Sequence, residues 1–118
     1  GAPILVVEDD PDVRDTVCEM LRLGGYIPDP VDSGEAALAR LSEKNDYCLV
    51  LSDVIMPKMS GFDLAHAMVE QGHSAPLALI SGYAKGDNAS AEDMATLPRI
   101  TKPFSLSELL GFVQENSA

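Results

Sequence analysis

The sequence has few basic residues, few aromatic residues and no tryptophan. Lys and Arg total 8 against 19 Asp and Glu, which gives a formal net charge of −11 at pH 7. So negative a chain repels nucleic-acid phosphates and anionic membrane surfaces. We therefore expect no direct nucleic-acid binding and no membrane contact by this domain.

Cysteines and long apolar runs are also scarce. Cys18 and Cys48 each lie in an apolar stretch, where a small buried thiol is the ordinary interpretation, so we expect no redox chemistry. No apolar run approaches the ~18 residues of a membrane span, and the N-terminus lacks the pattern of a signal peptide. These absences predict a cytoplasmic protein.

At 118 residues and 46% hydrophobic, the chain fits one domain, over 1–118, with one core.

Five short apolar segments predict β-strands. The first, third and fourth are continuous runs, as is typical of strands covered on both faces. Pro28 and Pro30 in the second segment cannot donate ladder hydrogen bonds, which predicts a strand at the edge of the sheet. The predicted strands cover residues 4–7, 26–31, 47–51, 76–80 and 100–101.

Five helices are predicted to alternate with these strands. Asp10 caps the first, and Gly24 ends it; Ser33 begins the second. The third carries its apolar face on Leu64, Ala65, Met68 and Val69, and a short fourth covers residues 90–95. Ser105 and Glu108 form a capping box for the last. The alternation predicts an α/β domain of three layers, with a parallel sheet between helices.

Polar residues that could bind a ligand or take part in a reaction follow four of the predicted strands. Parallel sheets of this kind bind ligands outside the carboxyl ends of their strands, where Glu8, Asp9, Asp53, Ser81 and Lys102 stand. Three carboxylates would repel one another unless a cation shared them, and hard oxygen ligands suit Mg²⁺. A metal-bound carboxylate, Asp53, could then attack an activated phosphorus while the lysine neutralises charge.

Each of these residues alone is a weak signal, because acidic and hydroxyl residues are common where loops begin. The combined motifs are more specific. They are residues 4–10 (ILVVEDD), 51–57 (LSDVIMP), 60–61 (SG), 80–84 (ISGYA) and 101–104 (TKPF). In this order they resemble the CheY-like receiver domains of two-component response regulators, over essentially the whole chain. The resemblance implies the flavodoxin-like strand order 2-1-3-4-5.

The resemblance also implies roles at the acidic site. Asp53 corresponds to the phosphoacceptor. Asp9 would ligate Mg²⁺ (or Mn²⁺) directly, Glu8 mostly through bound water, and Ile55 through its backbone carbonyl. Lys102 would pair with a phosphoryl oxygen, and the Lys102–Pro103 peptide bond is expected to be cis.

Three residues concern the switch that would follow phosphorylation. Ser81 matches the hydroxyl residue that hydrogen-bonds the phosphoryl group and moves toward it. Arg99 stands three residues before the lysine, where the family usually has Tyr or Phe. Tyr83, two residues after Ser81, is either a replacement aromatic or a loop residue packed on the end of the sheet.

The function implied is a phosphorelay switch. A histidine kinase or histidine phosphotransfer protein would phosphorylate Asp53, and the domain would catalyse this reaction and a slow dephosphorylation without being a turnover enzyme. The change would reach the face formed by the fourth helix, fifth strand and fifth helix, where a weak dimer could also form. The segment at residues 80–84 looks like that of receivers attached to hybrid histidine kinases, and of some stand-alone receivers.

Other functions remain as alternatives. Arg99 in place of an aromatic suggests a degenerate receiver that binds a partner without phosphorylation. A phosphohydrolase would use Asp53 as a turnover nucleophile, but such enzymes need a carboxylate two residues on, where Ile55 stands. A flavodoxin-type cofactor role is disfavoured because acidic residues follow the first strand, where a phosphate would need a glycine- or hydroxyl-rich loop.

Overall fold

A computed structural model of the chain describes residues 2–44, 46–81 and 97–117. Its strands form one five-stranded parallel sheet in the order β2-β1-β3-β4-β5, which confirms the predicted topology. In chain order the elements are β1 (Pro3–Val7), α1 (Pro11–Leu23), β2 (Ile27–Val31), α2 (Gly34–Glu43), β3 (Leu49–Asp53), α3 (Gly61–Glu70), β4 (Leu77–Ser81), β5 (Arg99–Thr101) and α4 (Leu106–Asn116).

The core lies on both faces of the sheet, because successive side chains of a strand point to opposite faces. In β1, Leu5 and Val7 belong to the cluster that includes apolar residues of α2 and α3. Ile4 and Val6 belong to the cluster that includes apolar residues of α1 and α4. This arrangement confirms the three layers.

Local signals in the sequence set most helix boundaries. Asp10 accepts hydrogen bonds from the N–H groups of Asp12 and Val13 and caps α1. Ser33 caps α2, and Ser60 and Ser105 form capping boxes at the starts of α3 and α4. Within the described residues, no helix is both long and apolar enough to cross a membrane.

Three predicted details need correction or lie outside the described residues. Four helices are described, and the helix predicted over residues 90–95 falls outside them. Asp53 and Ser81, expected just past their strands, are the last residues of β3 and β4, because the ladder continues through the pairs Asp53–Ile80 and Ser81–Thr101. Val69 was expected on the buried face of α3 but is 78% exposed. It lies about 100° around the helix from buried Met68.

The edge strand β2 is tied to its neighbours through Asp29. The Asp29 carboxylate accepts hydrogen bonds from the Arg40 guanidinium of α2 and from the Tyr47 hydroxyl. Burial alone would raise the pKa of Asp29, but the bonds to Tyr47 and Arg40 outweigh it and lower that pKa. The carboxylate therefore stays charged and fastens β2 to the domain.

The outer edge of β2 offers few hydrogen-bond donors. The Ile27 N–H donates to Ala2 O (3.0 Å), and the Val31 carbonyl accepts from the Glu8 N–H (3.1 Å). Main-chain groups alternate sides along a strand, so those of residues 28 and 30 face away from β1. Both residues are prolines, so neither supplies an N–H to the free edge. This edge resists the addition of another strand.

Replacing both prolines should open that edge. We expect the double variant Pro28→Thr/Pro30→Thr to keep the fold but to self-associate with rising concentration, because two N–H donors become available to a neighbouring strand. Sedimentation velocity measures this. Pro57→Thr, which changes an exposed loop proline, is the matched control and should stay like wild type. A double variant that sediments like wild type at every concentration would contradict this interpretation.

Candidate functional site

Three carboxylates meet at the carboxyl edge of the sheet, as the sequence predicted. Glu8 and Asp9 follow β1, and Asp53 ends β3, which is paired with β1. One ligand oxygen from each residue lies within 4.8 Å of the others. Among the described residues, this is the one group of three or more His, Cys, Asp or Glu side chains arranged to hold a metal ion.

Glu8 is the most constrained member of the group. It is 1% exposed. Its Oε1 accepts a hydrogen bond from the Asp10 N–H (3.1 Å). Its Oε2 is buried and has no hydrogen-bond partner among the described residues, and Lys102 Nζ lies 4.0 Å away. A buried carboxylate oxygen without a partner is costly, so this atom fits a site built to receive a cation or its bound water.

The electrostatics of the site follow from this crowding. Burial, and then the nearby charge of Asp53, raise the pKa of Glu8 to about 8, although the hydrogen bond from the Asp10 N–H and the charge of Lys102 oppose the rise. Burial likewise raises the pKa of Asp53, again against the effect of Lys102. Metal-free, the pair therefore resists carrying two negative charges at once, and a divalent cation would relieve that repulsion.

Asp53 and Lys102 are both held by main-chain contacts. Asp53 Oδ1 accepts a hydrogen bond from the Val54 N–H (2.9 Å), which leaves Oδ2 for other partners. The Lys102 N–H donates to the carbonyl of Ser81 (2.8 Å), so the residue after β5 is fixed against the end of β4. The Lys102–Pro103 peptide bond is cis, as expected.

The predicted switch residues do not all lie at the carboxyl edge of the sheet. Ser81 is fully buried at the carboxyl end of β4, beside the strand that carries Asp53. Arg99 is the first residue of β5 and pairs with Leu79 of β4, whereas Lys102 follows the last residue of β5. Ile55 has an exposed side chain in the loop after Asp53, and its carbonyl role stays a prediction. Tyr83 lies outside the described residues.

Sequence reasoning missed the role of Gly61, which appeared there only as part of a motif. A Cβ at this position would lie 2.6 Å from the Asp53 carbonyl oxygen and 2.7 Å from Leu79 Cδ2. The Gly61 N–H donates to the Val54 carbonyl (2.9 Å). The start of α3 therefore packs directly against the backbone of the candidate acceptor. The available signal was a glycine at the first position of a well-capped helix.

A doubly wound α/β domain with three carboxylates and a lysine at the carboxyl edge of its sheet has the architecture of a signalling receiver. The family described as "Response regulator receiver domain" matches residues 4–114. The chain belongs to the response regulator receiver domain family, the receivers of two-component systems.

Individual relatives agree with this assignment. The chain is 32% identical to the response regulator receiver protein CpdR of Brucella abortus, over 95% of this chain and 93% of CpdR. It is 35% identical to the response regulator protein FleR of Pseudomonas aeruginosa, over 99% of this chain but 25% of FleR. It also spans 49% of the transcriptional regulatory protein HprR of Escherichia coli, at 30% identity.

Solved structures show the same fold. The chemotaxis protein CheY4 of Vibrio cholerae superposes with a TM-score of 0.83 at 26% identity, covering 98% of both chains. FixJ-N superposes with a TM-score of 0.84 at 26% identity, covering 97% of this chain and 91% of that chain.

Titration of Glu8 should make the metal-free protein less stable as pH rises. Between its ordinary value of 4.5 and its folded pKa of about 8, Glu8 holds a proton in the folded state but not in the unfolded state. The free energy of unfolding should therefore fall across this window, by at most about 1.4 kcal/mol per pH unit for this group. Urea denaturation at a series of pH values, with a chelator present, measures the slope.

The variant Glu8→Gln should lose most of that slope, because it removes the titrating group. Glu115→Gln, which changes an exposed glutamate at the end of α4, should keep it. Parallel pH profiles for wild type and Glu8→Gln would show that Glu8 does not titrate in this way.

The close approach at Gly61 should not tolerate a side chain. We expect Gly61→Ala to lower the free energy of unfolding by about 1–3 kcal/mol, because the Asp53 backbone and the Leu79 side chain must move away from the new Cβ. Gly111→Ala, with nothing within 4 Å of its Cβ, should leave stability unchanged or raise it. Thermal denaturation compares the two, and equal stability would refute the packing argument.

Proposed function

We propose that this domain is a Mg²⁺-dependent phosphorylation switch in which Asp53 accepts a phosphoryl group from a histidine kinase or histidine phosphotransfer protein. The observation that carries the proposal is the cluster of Glu8, Asp9 and Asp53, with a buried partnerless oxygen on Glu8 and Lys102 beside it. Family membership supports the same assignment.

The residues fit a hard divalent cation, Mg²⁺ or Mn²⁺. Carboxylate oxygens, a backbone carbonyl and water are the ligands such ions prefer. Asp9 and Asp53 would bind directly, Glu8 would act mostly through bound water, and Ile55 would offer its carbonyl. The ion would neutralise charge on the transferring phosphoryl oxygens.

The transfer itself uses this chain's own groups. Asp53 Oδ1 already accepts the Val54 N–H, so we assign the attack on phosphorus to Oδ2. The P–O bond to Asp53 forms as the P–N bond to the donor imidazole breaks, and the imidazole nitrogen keeps the electron pair and takes up a proton. Lys102 would pair with a phosphoryl oxygen, and the Ser81 hydroxyl would hydrogen-bond another.

A groove next to the site supports a protein as donor. A cleft of about 340 Å³, lined mainly by apolar side chains of α1 together with Pro103 and Phe104, adjoins Lys102. Apolar clefts rimmed by polar groups are typical of sites that receive a helix of another protein. A helix carrying the phosphohistidine could therefore dock here with its imidazole toward Asp53.

Phosphorylation would add roughly −1.5 to −2 charge units, as other phosphoryl groups do. Ser81 would move toward that charge and bias the face formed by the predicted helix over 90–95, β5 and α4. The same face would support a weak dimer.

Because the chain spans 25% of FleR and 49% of HprR, outputs of whole regulators would lie in other domains. We expect the domain to work in the cytoplasm.

Acetyl phosphate with Mg²⁺ tests the acceptor. Wild type should gain the mass of one phosphoryl group, Asp53→Asn should gain none, and a chelator should prevent the gain. Asp46→Asn, an exposed aspartate just before β3, is the matched control and should be labelled like wild type. Absence of label under conditions that modify another receiver, or label on Asp53→Asn, would refute the proposal.

A degenerate receiver is the second candidate, favoured by Arg99 where the family usually has an aromatic. Its fold would be the same, but binding to the partner would not depend on the phosphoryl group. The same Asp53→Asn protein separates the two functions: partner binding equal to that of phosphorylated wild type would favour the degenerate receiver.

A further inference from the structure

The side chain of Arg14 contacts the backbone of the acidic site from α1. Its Nη1 donates to the main-chain carbonyl of Glu8 at 2.9 Å, and this contact is partly buried. The Arg14 N–H donates to the Asp10 carbonyl, also at 2.9 Å. The arginine side chain therefore reaches back across the turn between β1 and α1 and bonds to Glu8, the first residue of that turn.

With this bond, three polar groups of Glu8 have protein partners. The Glu8 N–H donates to Val31 in β2, its carbonyl accepts from Arg14, and its Oε1 accepts from the Asp10 N–H. Oε2 alone is left, and it lies on the side of Lys102. The orientation of that oxygen thus depends on contacts outside the carboxylate cluster.

The Glu8 carbonyl also belongs to the peptide unit that leads into Asp9. That unit is planar, so a bond that fixes its oxygen fixes the direction in which the backbone leaves toward Asp9. One hydrogen bond from Arg14 can in this way orient two of the three carboxylates. Arg14 touches none of their oxygens in the bonds described.

We propose that Arg14 is a positioning residue for the candidate metal site: through the Glu8 carbonyl it holds Glu8 and Asp9 in the arrangement that a divalent cation requires. Groups that orient metal ligands in this way commonly contribute 10-fold to 100-fold to metal affinity. The inference rests on the proposed Mg²⁺ site, but the bond from Arg14 can be tested without metal.

Arg22 provides a control for charge. It lies on the same helix and carries the same charge, but it is exposed and pairs with Glu19 at 3.6 Å. Arg14→Met and Arg22→Met therefore change the net charge equally. Only Arg14→Met removes the hydrogen bond that the turn with Glu8 and Asp9 receives from α1.

Calorimetric titration with Mg²⁺ tests the effect on the site, since the chain has no tryptophan to report binding by fluorescence. We expect Arg14→Met to weaken Mg²⁺ binding roughly tenfold and Arg22→Met to bind like wild type. The difference should persist at about 0.5 M KCl, where exposed charges are strongly screened. Equal weakening in both variants, or a difference that vanishes in salt, would overturn the positioning role.

Hydrogen exchange of the Asp10 amide tests the same bond in metal-free protein. If Arg14 holds Glu8 in place, Arg14→Met should loosen the bond from the Asp10 N–H to Glu8 Oε1. Exchange with water, measured by magnetisation-transfer NMR, should then quicken several-fold, while Arg22→Met leaves it unchanged. Unchanged exchange in a folded Arg14→Met protein would refute the inference.

The two measurements separate this inference from the proposed function. If wild type binds no Mg²⁺, the proposed function fails, and Asp10 exchange still decides whether Arg14 positions Glu8. If wild type binds Mg²⁺ and Arg14→Met binds it equally well, the positioning role alone fails.

Discussion

Mutual repulsion among three carboxylates is the constraint around which this domain is built. Glu8, Asp9 and Asp53 bring ligand oxygens within 4.8 Å of one another, and a buried Glu8 oxygen has no partner among the described residues. The strands behind them hold the cluster together, because residues 4–7 and 49–51 are completely buried. Burial of apolar surface contributes about 25 cal/mol per Å², which offsets the cost of crowding the charges.

In the proposed function, the same repulsion would couple the binding of a proton, a metal ion and a phosphoryl group. The raised pKa of Glu8 means that the metal-free cluster lowers its charge by holding a proton. A divalent cation would replace that proton, and the transferred phosphoryl group would add charge beside both. Lys102, whose N–H bonds to the end of β4, places a cationic side chain 4.0 Å from Glu8 Oε2. In the proposed function, the proton, the metal ion and the phosphoryl group would therefore all change the same net charge at this site.

The proposed chemistry is that of the receiver family, but the chain departs from the family in the second half of the proposed switch. Arg99 occupies the usual aromatic position and lies at the amino end of β5, away from the carboxylates. In the proposed switch, coupling between Ser81 and the opposite face would therefore use another side chain. Tyr83 is a candidate from the sequence and lies outside the described residues.

Much of the fold was readable from local patterns: the apolar runs of β1, β3 and β4, the caps at Asp10, Ser33 and Ser105, and the prolines of the edge strand. These signals act within a few residues, so the sequence by itself determined the elements that the structure describes, their alternation and the strand ends where acidic residues collect. Only the tertiary structure decided which side of α3 is buried, leaving Val69 in solvent, and how closely Gly61 approaches Asp53. It alone showed the bond from Arg14 to the Glu8 carbonyl. Packing distances and side-chain directions depend on how the helices and strands pack against one another, and no local pattern encodes that packing.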